Sequence, residues 1–173
     1  MQVRNMVKAG LCGALLCVCS WLSLPLGTVT FTLQTFAVFL TLGLLGGKWG
    51  SVAIGVYLLC GAVGLPVFSG FQGGIGVLLG PNGGYLWGFF VAGMVYWLTH
   101  SLWKKKYIGF LCGLFTCYAV GTVWFWLVYA RQAGIFEIIG ICVLPYIVPD
   151  LMKLWLAGFL SRRLWKKEKG GSL

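Results

Sequence analysis

Charge is what this chain lacks. Lysine, arginine, aspartate and glutamate make up 9% of its 173 residues, against 60% hydrophobic. A soluble domain carries roughly 25% charged residues, so most of this surface has to face something other than water. The apolar residues come in successive runs, roughly 6–24, 31–45, 49–63, 85–102, 107–129 and 138–160. A helix crosses a bilayer with about 20 residues. The runs therefore predict an all-α integral membrane protein of about six transmembrane helices, one membrane domain over residues 1–173. The second and third runs are short for a full span and are expected to sit partly screened by protein.

The breaks between runs carry further information. The chain has 27 glycines without a period of three, which suits close helix packing in a membrane and excludes a collagen-like repeat. In the first run Ala9, Gly10, Gly13 and Ala14 form a doubled small-xxx-small pattern, a strip on which another helix can approach closely. That run starts with Arg4 and Lys8, but no small-x-small site follows at the Leu24–Thr28 boundary, so it reads as a retained helix and not a signal peptide. From Ser69 to Gly84 glycines alternate with Phe71, Ile75, Val77, Leu78 and Leu79. So much glycine argues against a regular helix, and so much apolar surface argues against a loop in water. Irregular backbone is tolerated near membrane depth where it packs over a cavity, so this segment is expected to cap an outward-facing ligand cavity. It is no phosphate-binding loop, because no Gly-Lys-Ser/Thr ends it. No internal repeat supports an inverted-repeat transporter.

Twelve of the 13 basic residues explain themselves by position. With six helices and both termini in the cytoplasm, Arg4, Lys8, Lys48, Lys104, Lys105, Lys106, Arg162, Arg163, Lys166, Lys167 and Lys169 fall inside, and Arg131 falls outside. The basic excess thus reads as a topology signal, not as a nucleic-acid surface. Lys153 does not fit the pattern. It lies in the last apolar run three residues after Asp150, so the two share a helix face. The pair could be a packing ion pair, a proton relay or a polar site facing a cavity. Intramembrane charges favour the last, and Pro149 would free a carbonyl nearby. His100, the single histidine, sits beside the Lys104–Lys106 cluster as an interfacial residue with no second metal ligand near it. Trp124 and Trp126 lie toward the outer end of the fifth run, within reach of a ligand site. Cys12, Cys17, Cys19, Cys60, Cys112, Cys117 and Cys142 all lie in apolar runs without a CxxC pair, as small apolar residues and not as disulfides or a zinc site. With three acids and one histidine, no catalytic set and no metal site is expected, and no cofactor.

Three segments then match a known family. Phe31-Thr-Leu-Gln-Thr-Phe-Ala-Val-Phe, Gly61-Ala-Val-Gly-Leu-Pro-Val-Phe and Gly73-Gly-Ile-Gly-Val-Leu-Leu-Gly-Pro-Asn-Gly-Gly-Tyr resemble the BioY family, the biotin-binding S components of energy-coupling-factor transporters. Leu144-Pro-Tyr-Ile-Val-Pro-Asp-Leu-Met-Lys resembles the family's closing motif. The resemblance implies six transmembrane helices around a vitamin site near the outer surface. It implies biotin contacts at Asn82, Tyr85, Asp150 and Lys153, and work with a membrane coupling protein and two ATPase subunits in the bacterial cytoplasmic membrane. The Ala9–Ala14 strip resembles the surface offered to the coupling protein. The chemistry is compatible: Asp150 can accept from the ureido N–H groups of biotin, and Lys153 or Asn82 can donate to its ureido carbonyl or its carboxylate. The alternatives are an S component for another small vitamin, or a structural or assembly membrane protein with a packing ion pair.

Overall fold

Gly46 folds the chain back on itself. It has φ 74 and ψ 176 inside the otherwise helical stretch Gln34–Ala62, a conformation essentially reserved for glycine. Beyond it, Gly50 lies against Leu42, so close that a Cβ there would stand 3.1 Å from the Leu42 Cα. The Gln34 amide nitrogen donates to the Tyr57 hydroxyl at 2.9 Å, although the two residues are 23 apart in sequence. In a straight helix that separation would be roughly 34 Å. The stretch is therefore a helical hairpin with arms 34–45 and 47–62, as the two short apolar runs predict.

The computed structural model describes residues 2–26, 29–132 and 134–170, without the side chains of 2, 25, 26, 29, 30 and 166–170. Gly27 and Thr28, part of the stretch weighed for cleavage, and the side chains of Lys166, Lys167 and Lys169 lie outside that description. In chain order the elements are α1 (Gln2–Trp21), β1 (Ser23–Leu26), β2 (Val29–Thr32), α2 (Gln34–Ala62), α3 (Ile75–Leu78), α4 (Gly83–Trp103), α5 (Lys106–Tyr129), α6 (Ile135–Cys142) and α7 (Leu144–Gly170). Val3–Trp21, Gln34–Ala62 and Lys106–Tyr129 are each long and apolar enough to cross a membrane, and the bent pair α6–α7 adds a fourth candidate. With both arms of α2 counted separately and α4 added, six long helical rods form the bundle.

Four expectations need correction. Phe31 and Thr32 belong to an antiparallel hairpin, Leu24 paired with Phe31 and Ser23 with Thr32, and not to the second helix. Val29, Thr30 and Thr32 are β-branched, which favours a pleated strand. The fourth helix starts at Gly83, inside the segment expected to be irregular, and that segment also holds a 3-10 turn at Ser69–Phe71 and the single turn α3. The last run is broken: α6 ends before Val143 and α7 restarts at a 45° bend, with Pro145 in its first turn, where a missing N–H costs least. Lys106 does not sit in the exposed basic cluster with Lys104 and Lys105, but turns inward.

The core is a shared seam of Leu16, Phe39, Leu42, Ile54, Tyr96, Phe110 and Leu114. Glycines set how near the helices come. A Cβ at Gly88 would stand 3.0 Å from the Cys117 carbonyl, and one at Gly113 3.2 Å from that of Ala92, so α4 and α5 meet almost backbone to backbone. Four cysteines are buried and Cys17, Cys60 and Cys112 are half-buried; all seven are free thiols.

Candidate functional site

The pocket forms where the first arm of α2, α4, α5 and α7 diverge beneath the glycine-rich segment. About 780 Å³ of non-atom space, open solvent at its mouth included, is lined from every one of these elements. Phe31, Val77, Leu86, Phe89 and Leu114 supply apolar walls. Asn82, Tyr85, Asp150 and Lys153, singled out in the sequence, all line this one cavity.

Asp150 and Lys153 sit one turn apart on α7, 5% and 8% exposed. Lys153 Nζ donates to Asp150 Oδ1 at 2.9 Å and to the Thr32 carbonyl of β2 at 2.7 Å, and lies 3.8 Å from the centre of the Phe31 ring. Tyr118 of α5 donates its hydroxyl to Asp150 Oδ2 at 2.7 Å. The arrangement meets the requirement that a buried charge pair be neutralised and hydrogen-bonded. It also separates the two residues' roles. The Lys153 ammonium is occupied by a carboxylate, a carbonyl and a ring face, and it fastens the β-hairpin to α7. Each Asp150 oxygen keeps a second acceptor lobe, so Asp150 retains capacity for an N–H donor.

Tyr85 stands over Gly121, where any side chain would meet its ring, and its hydroxyl lies 3.4 Å from Thr122 Oγ1. Asn82 is the residue before α4, and its carbonyl accepts from the Tyr85 and Leu86 amides. The cap above is pinned at several points. Trp21 Nε1 donates to the Pro66 carbonyl at 2.8 Å, Tyr57 to that of Val67 at 3.0 Å, Trp124 Nε1 to that of Gly80 at 3.1 Å and Tyr129 to that of Leu79 at 3.0 Å. Trp124 thus holds the cap from outside; neither it nor Trp126 lines the cavity.

Sequence reasoning missed Gln34, Thr35, Ser69, Gln72, Tyr118 and Tyr146, which also line the pocket. Gln34 was the findable one: an amide within an apolar run, now 4% exposed with its nitrogen donating to Tyr57. Tyr118 and Thr122, one turn apart in α5, carry a fainter version of the same signal. Ala9, Gly10, Gly13 and Ala14 do not line this pocket and lie on a face of α1 that is exposed or half-buried. A Cβ at Gly10 or Gly13 would meet nothing within 4 Å, so the bundle itself does not need them small.

The family model described as the BioY family matches residues 1–170. The chain belongs to the BioY family. It is 42% identical to the protein named biotin transporter BioY of Thermotoga maritima, over 96% of this chain and 98% of the relative. The probable biotin transporter BioY of Pyrococcus horikoshii is 39% identical, with 95% and 98% covered. Among solved structures, the S component for biotin from an ECF-type ABC transporter superposes with a TM-score of 0.84 at 26% identity, covering 95% of this chain and 92% of that one. The pocket of this chain lies inside its helical bundle. The family and its named relatives are transporters and not enzymes.

Proposed function

We propose that the chain is the biotin-binding membrane subunit of a biotin uptake transporter, with its pocket open to the outside of the bacterial cytoplasmic membrane and both termini in the cytoplasm. The observation that carries this reading is the convergence of Asn82, Tyr85, Asp150 and Lys153 on one cavity in a BioY-family chain. Asp150, held by Lys153 and Tyr118, accepts the ureido N–H groups. Asn82 and the Gln34 and Thr35 side chains supply polar contacts to ligand oxygens, and Phe31, Val77 and Phe89 enclose the apolar rings and chain. Lys153 acts mainly by neutralising and orienting Asp150.

Orientation is supported by charge. Lys48, Lys104, Lys105, Arg162 and Arg163 lie at the ends of helices opposite the cap, whereas Arg131 lies at the capped end beside Tyr129. The chain carries no nucleotide motif, so concentrative transport is assigned to partner ATPases acting through a membrane coupling protein. The open strip of Ala9, Gly10, Gly13 and Ala14 on α1 is the surface we assign to that coupling protein.

Radiolabelled biotin supplied outside intact cells that cannot make biotin tests the reading. Expression of this chain together with coupling and ATPase subunits restores accumulation, and unlabelled biotin competes. Accumulation no higher than in cells lacking the chain refutes the assignment.

A further inference from the structure

At the pole opposite the pocket, Lys106 points into the bundle. Its Nζ donates to the Gly43 carbonyl at 2.9 Å and to Ser161 Oγ at 2.8 Å, and the Ser161 hydroxyl in turn donates to the Gly158 carbonyl at 3.0 Å. Ser161 is 0% exposed. The Gly43 carbonyl belongs to the last turn before the Gly46 reversal, where helix carbonyls lack partners within the helix and attract cations. α7 also comes close at Gly43: a Cβ there would stand 2.8 Å from Ser161 Oγ and 3.2 Å from the Phe110 ring. A cation whose acceptors among the described residues are all neutral, with Arg162 packed on the adjacent Tyr107 ring, is a costly thing to hold inside a membrane protein.

The three elements it joins are the ones that build the ligand site at their other ends. The first arm of α2 carries Gln34 and Thr35 at the pocket and Gly43 at the clamp. α5 runs from Lys106 to Tyr118, and α7 from Asp150 and Lys153 to Ser161. We infer that Lys106 is a positioning residue, a clamp that holds the cytoplasmic ends of the first arm of α2, of α5 and of α7 together and so keeps the floor of the pocket closed while ligand is bound. The inference rests on the pocket being a transport site.

Two readouts test it. Amide hydrogen exchange is measured on purified, ligand-free protein. Lys106→Met raises exchange about ten-fold or more over 40–47 and 158–162. Ser161→Ala, which keeps the cation and its bond to Gly43, raises it less at the same places and decides alone should Lys106→Met not survive purification. Unchanged local exchange overturns the clamp. In liposomes, release of radiolabelled biotin per folded molecule rises about ten-fold in Lys106→Met and returns toward wild type in Lys106→Arg, whose guanidinium can span both acceptors. Raised exchange with a wild-type release rate reduces Lys106 to a packing contact and overturns its role in closure. A wild-type protein that holds no biotin refutes the ligand reading, while the exchange measurement still decides the clamp.

Discussion

Asp150 gives one carboxylate oxygen to Lys153 and the other to Tyr118, and all three side chains are buried. Changing Asp150 to Asn keeps the shape but leaves the Lys153 ammonium without its counter-ion, and stranding a buried charge costs roughly 3–5 kcal/mol. Asp150→Asn is therefore expected to weaken biotin binding by at least about 100-fold, or roughly 2.7 kcal/mol, while the protein still inserts and elutes as one sharp peak. Tyr118→Phe removes one bond to the carboxylate and is expected to cost about ten-fold. If the pair merely packs the bundle, the order reverses: yield falls first and the surviving protein binds normally. Asp150 and Lys153 were legible in the sequence because charges in an apolar run are costly and sit three residues apart on one helix face. Tyr118 was not, because a tyrosine in such a run has the same appearance whether it faces lipid, core or ligand.

The apolar runs located most of the elements, since their lengths and breaks follow from what a bilayer requires. They failed where local chemistry competes with hydropathy. The paired strands β1 and β2 are each too short to leave a period, and Pro145 moved a helix boundary by bending α6 against α7. The glycine-rich segment was legible as a cap, but its single turn α3 and the tryptophan and tyrosine bonds that pin it come from distant positions in the chain. The strip on α1 makes a prediction at this scale. Space is open beside Gly13, and Ala9 one turn away is only half-buried, so with Leu at both positions biotin binding by the purified variant is expected to stay within about two-fold of wild type, well under 1 kcal/mol. Uptake in cells that supply the partner subunits is expected to fall at least about ten-fold. Binding lost in parallel with uptake would make the strip part of the internal packing.

At the scale of the whole molecule, two poles oppose each other across the same helices. One carries the capped pocket with Asp150, and the other the Lys106 contacts, the α2 turn with Lys48 and the basic ends of α4 and α7. Gly46 makes this possible by turning one stretch into two arms, so that Gln34 at the pocket and Gly43 at the far pole belong to a single helix. Gln34, Tyr118, Asp150 and Lys153 in the pocket are buried and already oriented by protein partners, which is how a small ligand is bound tightly without a large ordering cost. Biotin has about sixteen non-hydrogen atoms, so nanomolar affinity needs roughly −0.8 kcal/mol per atom, inside the ceiling of about −1.5 for very efficient small ligands. Titration of the purified wild-type chain, without any partner subunit, with biotin is the most direct measurement. The account predicts saturable binding of one biotin per chain with a dissociation constant below about one micromolar, tighter than −8 kcal/mol. A correctly folded, monodisperse protein that binds no biotin in that range would contradict it.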